Sequence, residues 1–374
     1  MLTSLKNIKM LAATATVAAI MAFPASAQDI FTVTGVHVDE SADTAAAARE
    51  QALEIGQRKA FEEVVARLTL PEDRAGLEVP ETSVITNMVR DFGVSNEKTS
   101  SVRYIADMTV RFKDDELRRY LRFRDVSFAE LQSKPVMIVP VYRTSGYVTL
   151  WDDPNPWREV WSRNVATSGL VPIKAPIGDL TDIGTVSAEQ AENGAMERLN
   201  QLARRYGADV AVVASAEVTG PTGGETVDVS VTRYDPNGAP QVFGVQENTL
   251  PDETLNETLV RAAKSVQDQL ADGWKRANLI NYSTGGSLMV FIPITGLKDW
   301  AGIEKKLVGL PVVRNSRVVA MSRREVQLSL EFVGSTTQLQ TALNQQNLNL
   351  SRMGELWFIQ PSGTDRLEGL SLGG

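Results

Sequence analysis

From Ser287 to Gln360 the spacing of apolar residues switches repeatedly between a period of two and a period near 3.6. SLMVFIPI alternates or runs apolar as a strand does, and LKDWAGIEKKL carries the i, i+3, i+4 spacing of a helix. LPVVRNSRVVAM and REVQLSLEFV predict two more strands, TTQLQTALNQQ a second helix, and LNLSRMGELWFIQP one last strand. The order β-α-β-β-α-β in about 75 residues predicts a ferredoxin-like unit over 286–361.

Upstream, the alternating run Ile30 to Val38 predicts a strand. A long helix follows over 45–68, with Ser41 or Asp43 as its cap. Its stripe of Ala48, Ala52, Gly56, Ala60, Val64 and Leu68 advances in steps of four, and small side chains there let the helix backbone lie close on a sheet. MVRDFGVSN and SVRYIADMTVRF then predict two strands, and DDELRRYLRF a short helix. The result is a βαββα unit over 28–130.

Between these units, VMIVPVY from Val136 is an uninterrupted apolar run of the kind that is buried on both faces. Helices over 157–168 and 187–206 and a second apolar run, ADVAVVA from Ala208, predict a parallel α/β core. Two further strands and a helix over 254–275 complete a central unit spanning 134–280, and a linker over 282–286 follows it. The whole chain therefore reads as mixed α+β and α/β. The Gly- and Ser-rich segment 362–374 is expected to be a disordered tail.

The first 27 residues change the picture. Lys6 and Lys9 precede an apolar run from Met10 to Phe23 that is too short to span a bilayer. Ala25-Ser26-Ala27 is a small-residue cleavage site, so residues 1–27 are expected to be a signal peptide and the mature chain to start at Gln28. No cysteine follows to carry a lipid, and no later run is long enough for a transmembrane helix. A soluble periplasmic or secreted protein is expected. Without the leader, 36 basic face 46 acidic residues, a balance that disfavours nucleic acid as a partner. With no cysteine in an oxidising compartment, stability must come from hydrophobic cores.

Glycine-rich EVTGPTGGETVDVSV invites comparison with a phosphate-binding loop. That loop needs a wider glycine spacing, then lysine, then a helix whose N-terminus faces the anion. Here Gly220 and Gly224 stand too close, Glu225 occupies the place of the lysine, and the following residues alternate as a strand. The stretch is read as a hairpin, and neither a nucleotide nor any other cofactor is expected.

Little else points to chemistry. With His37 as the single histidine and no cysteine, there is no material for His-Cys metal sites or thiol nucleophiles. Asp152 and Asp153, flanked by Trp151 and Trp157, form the best acid pair, either a hydrolase pair or a helix-opening turn. Trp157 and Trp161 lie one helical turn apart and share a face, which either anchors the helix to the sheet or stacks on a sugar or partner. Arg118, Arg119 and Arg122 belong to a basic run from Arg111 to Arg124 that is either a solvated face or a seat for an anionic partner.

The segment from FTVTGVHVDESADTAAAAREQALEIGQRKAFEEVV to SSVRYIADMTVRFKDDELRRYL resembles an uncharacterised family of Gram-negative envelope proteins defined by a domain of unknown function. Its alanine-stepped helix is also similar to the N-terminal domain of the flagellar T-ring assembly protein. The order of KPVMIVPV, WREVW and YGADVAVVASA resembles the TolB N-terminal domain, without the β-propeller repeats of that family. These resemblances imply a non-enzymatic binding or scaffold role in assembling or maintaining the cell envelope, with an envelope protein or cell-wall component as partner. The alternative is a carboxylate-dependent hydrolase of wall glycan centred on Asp152 and Asp153.

Overall fold

The computed structural model describes residues 29–364 except 145, 165–168, 237 and 281–283. The expected leader, most of the expected tail, Tyr282 of the expected linker and the end of the helix drawn to residue 168 lie outside the described residues. The fold is mixed α+β, with three sheets and eleven helices among the described residues.

In the first sheet, β1 (Thr32–Ser41) leads into α1 (Ala45–Leu68), α2 (Pro71–Arg74) and α3 (Thr82–Met88), then into β2 (Val89–Thr99), β3 (Arg103–Phe112) and α4 (Asp114–Phe123). The antiparallel order is β1-β3-β2. Thr44, rather than Ser41 or Asp43, caps α1, its hydroxyl accepting from the Ala47 N–H at 3.1 Å. The small-residue stripe does what its spacing predicts. A Cβ at Gly56 would stand 2.2 Å from Met108 Sδ and 3.1 Å from Val38 Cγ1, so any larger residue would have to push the Met108 side chain aside for the helix to lie this near the strands. α2 and α3 were not expected, since with 4 and 7 residues they are too short to show a helical period.

The second sheet holds β4 (Val136–Thr144), β5 (Tyr147–Thr149), β6 (Ile173–Lys174), β7 (Val210–Thr219), β8 (Thr226–Tyr234) and β9 (Gln241–Asn248). Its helices are α5 (Pro156–Arg163), α6 (Leu180–Thr185), α7 (Ala188–Glu192), α8 (Met196–Arg205) and α9 (Leu255–Asn278). The order is β5-β4-β7-β8-β9, with β6 beside β4. Parallel pairing is confined to β4 with β6 and β7, and the rest is antiparallel. The apolar run of β4 is buried on both faces: Val136 and Ile138 join the core under α5 and α9, while Met137, Val139 and Val141 join the one under α7 and α8. The helix expected over 187–206 is broken in two. Gly194 takes φ +69° just past the Asn193 cap of α7, and the Ala195 N–H donates back to the Gln190 carbonyl at 2.9 Å, the glycine-terminated end that closes that helix.

The third sheet contains β10 (Gly285–Pro293), α10 (Leu297–Val308), β11 (Val313–Met321), β12 (Glu325–Val333), α11 (Thr336–Gln345), β13 (Leu348–Met353) and β14 (Leu356–Pro361), in the order β11-β12-β10-β14-β13. The segment expected as one last strand is a hairpin turning at Gly354, which adopts φ +61°. β14 thereby enters beside β10 in parallel, and β13 becomes the edge.

These sheets share one hydrophobic core, which runs from Phe31 through Trp157 and Trp274 to Ile359. α9 is the brace. Its buried Lys275 donates to the last-turn carbonyl of Ala66 at 3.0 Å and to the Thr69 carbonyl just beyond α1 at 2.7 Å, and it pairs with Asp272 at 2.7 Å. A cation placed there satisfies acceptors that the end of a helix leaves open. Nearby, Trp274 Nε1 donates to the Leu131 carbonyl at 2.5 Å and the Ile280 N–H donates to Phe128 at 3.1 Å. The third unit is tied on by the Lys134 N–H to Gln345 Oε1 at 2.6 Å and by Gln338 Nε2 to the Leu279 carbonyl at 2.6 Å.

Candidate interaction surfaces

Asn155 caps α5, accepting from the Arg158 N–H at 2.9 Å, and Pro156 follows as the first helical residue. That helix carries Trp157 and Trp161 inward. Both rings have 0 % exposure and meet edge to face with centroids 5.5 Å apart, and Trp157 Nε1 donates to the Ala214 carbonyl at 2.9 Å. They are core residues, closed to any sugar or partner. Trp151 is half-buried, and its Nε1 donates to the Val186 carbonyl at 2.7 Å. Asp152 and Asp153 are exposed just before the cap, and the Asp153 carboxylate accepts from Arg158 Nη2 at 2.5 Å. This is the geometry of the helix-opening turn.

The basic helix α4 neutralises most of itself. Arg118 Nε donates to both oxygens of buried Glu130 at 2.8 and 2.9 Å, and Nη1 reaches Asp114 at 2.7 Å and Asp115 at 3.0 Å. Burial opposes the charge on Arg118, but the Glu130 and Asp114 carboxylates more than offset it and raise its pKa. Arg119 pairs with Glu116 at 2.8 Å, and Arg122 Nε donates to the Arg118 carbonyl at 3.3 Å. Arg118 thus pins α4 to the segment entering the central unit, while Arg119 and Arg122 are exposed.

The glycine stretch 220–224 joins β7 to β8 as a hairpin, with Thr219 opposite Thr226. The carboxylate of Glu225 accepts from the Gly223 N–H at 2.9 Å, so the loop supplies its own anion.

Sequence reasoning missed three arrangements. On the open face of the first sheet, His37 Nδ1 lies 2.9 Å from Asp107 Oδ1, and Asn96 Nδ2 donates to Asp107 Oδ2 at 2.8 Å. Those bonds, Asn96 first and His37 second, lower the Asp107 pKa. In the central unit, fully buried Asp182 accepts from Tyr206 Oη at 2.5 Å and the Gly178 N–H at 2.9 Å, and it pairs with Arg205. Arg205 also pairs with Asp179 and holds its carboxyl far below the usual range. At the start of α9, Arg261 donates to Glu253 and, with the Leu250 N–H, holds it down to about 2.

A carboxyl depressed on folding stabilises the protein above its ordinary pKa, and that contribution fades as pH falls toward the depressed value. For Glu253 the window runs from 4.5 down to about 2. Melting temperature is therefore expected to hold steady from neutral pH to about 5 and then fall through this window. Thermal melts across pH check this, with a shallower fall expected for Glu253→Gln.

Two of the clefts among the described residues are broad enough to consider. One, of about 420 Å³, lies between α1 and α9 and is lined by Arg67, Arg74, Lys264, Gln267, Asp268 and Lys275, among others. Its cations are engaged: Arg67 donates to the Ile30 and Thr32 carbonyls, Arg74 to Thr69, and Lys264 pairs with Asp268. The other, of about 400 Å³, lies on the central sheet beyond α7, where Arg143, Glu192, Ser215, Glu217, Asp228 and Ser230 line a polar floor. Register sets Arg143, Glu217, Asp228 and Gln246 in one row and Val141, Ser215, Ser230 and Gly244 in the next. Arg143 pairs with Glu192 at 2.5 Å and Gln246 donates to Asp228 at 2.6 Å. Among the described residues, no group of three or more His, Cys, Asp or Glu is placed to hold a metal ion. No described helix is long and apolar enough to cross a membrane.

No family model matches the chain, and no curated protein matches it. Among solved structures, the crystal structure of protein XCC0632 from Xanthomonas campestris, of family model DUF330, is 9% identical and covers 39% of this chain and 85% of that one. Its TM-score is 0.18, too low for the likeness to bear on fold or function. The T-ring and TolB resemblances find no support in these comparisons.

Proposed function

We propose that this is an exported, non-enzymatic binding or scaffold protein that helps assemble or maintain the cell envelope. The leader pattern at residues 1–27 and the resemblance of the first unit to an envelope family support the compartment. The observation that carries the binding reading is the contrast between a tightly braced interior and open sheet surfaces. Charged groups such as Lys275, Arg118 and Asp182 are spent on holding elements together. The polar cleft of the central sheet stays accessible, on strands held rigid from behind by α5 and α9. Binding at such a floor loses little order, because the strands are already fixed.

Osmotic-shock release of a chain whose amino terminus is Gln28, together with unchanged envelope function in an Asp152→Asn/Asp153→Asn variant, is the expected result. Retention of the leader in the cytoplasm would sink the compartment. Loss of a measurable glycan-cleaving activity in the double variant, with its fold intact, would favour the hydrolase instead.

A further inference from the structure

We infer that the β11–β12 turn and the adjoining loop before α10 form a contact site for an anionic phospholipid surface. The Ile294 N–H donates to the Arg324 carbonyl at 2.8 Å, tying the two segments together at one end of the third sheet. The residues flanking these two segments include exposed apolar side chains: Leu297 at 72% at the start of α10, and Val319 at 52% and Met321 at 43% at the end of β11. Arg323, Arg324 and Lys298 are exposed around them, and Arg317 stands further back on β11. Unlike Arg118 and Arg119 of α4, none of these four cations makes an ion pair with a described residue.

Acids near the site are engaged by the backbone or set back. Asp299 accepts from the Thr295 N–H and hydroxyl, Glu325 is half-buried at the start of β12, and Glu331 lies farther along that strand. The turn itself is firm, since Ser322 Oγ accepts from the Arg324 and Glu325 N–H groups at 3.2 and 3.0 Å.

Edge strands carry charge and bulges to prevent pairing, and β11 has both, with its register shifting between Val318 and Ala320. That role accounts for Arg317. It does not require Met321 and Leu297 at the tip, or an unpaired lysine in the first turn of α10. Cations ringing exposed aliphatic side chains match a surface of phosphate headgroups over acyl chains. An acidic protein partner would use the charges and leave the aliphatic side chains idle. The excess of acid over base elsewhere in the chain restricts the approach to this end. The contact does not depend on the scaffold reading, since vesicle binding is measured on the purified protein alone.

The test is co-sedimentation of the processed chain, its amino terminus checked by mass spectrometry, with vesicles of phosphatidylglycerol and phosphatidylcholine or of phosphatidylcholine alone. Binding to the anionic vesicles at low salt, and none to the neutral ones, is expected. Each basic residue near an anionic surface contributes about fivefold, so Arg323→Glu/Arg324→Glu should weaken binding about twentyfold or more. Lys298→Glu, on the other segment, should weaken it independently, and Arg119→Glu/Arg122→Glu should leave it unchanged. Leu297→Ser/Met321→Ser should weaken it too. A chain that stays in the supernatant, or an Arg323→Glu/Arg324→Glu variant that sediments like the parent, overturns the proposal. So does full binding by Leu297→Ser/Met321→Ser, which would indicate a contact through charge alone.

Discussion

Trimming Trp157 to alanine will lower the unfolding free energy by about 4 kcal/mol, the usual cost of emptying a buried aromatic site. The ring is fully enclosed, lies edge to face with Trp161 and donates to the Ala214 carbonyl. Trimming it therefore removes packing, an aromatic contact and the indole donor to the Ala214 carbonyl together. Urea titration followed by circular dichroism gives the number. A surface tryptophan that stacks on a ligand would behave differently, losing affinity while leaving the midpoint nearly unchanged. A loss below about 1 kcal/mol would contradict the core assignment.

Lys275→Met keeps the length and apolar stem of the side chain and removes only its charged head. It leaves Asp272 without its partner and the carbonyls of Ala66 and Thr69 without their lysine donor. Breaking one side of a buried pair costs about 3–5 kcal/mol. Arg74 still reaches Thr69, and Asp272 keeps some contact with solvent, so about 2–3 kcal/mol is expected here. Because Lys275 sits where α9 crosses the end of α1, the loss should loosen the first unit most. Hydrogen exchange in α1 and β1 should accelerate before that in β7 and β8.

The elements most legible in the sequence are those whose neighbours share their periodicity. The four-residue step of α1 announces a close helix–sheet contact, and the contact at Gly56 bears it out. The unbroken apolar run of β4 announces burial on both faces, and its odd and even residues join different cores. Such patterns are local. What stayed hidden is either weakly signalled locally or depends on residues far apart in the chain. The break at Gly194 is of the first kind: Asn193-Gly194 ends α7 with a left-handed glycine inside a run that otherwise keeps a helical period. The hairpin at Gly354 reads as one strand because Arg352-Met353-Gly354-Glu355 carries only a weak turn signal. Arg118 looked available because a list of cations says nothing about Glu130, which reaches it from beyond the helix. Among the sites, Trp157 and Trp161 were legible as a shared face but not as inward or outward. The polar floor of the central sheet was invisible, since it exists only once four strands are in register.

The claim on which the rest turns is that this chain offers the open floor of its central sheet to another molecule in the envelope. Photo-crosslinkable residues placed singly at Ser230 and Gln246 in living cells, with a third at buried Val231, test it most directly. Discrete adducts from the two floor positions and none from Val231 are expected. Equal labelling at all three, or no adduct from the floor while the protein remains folded and abundant, would contradict the account.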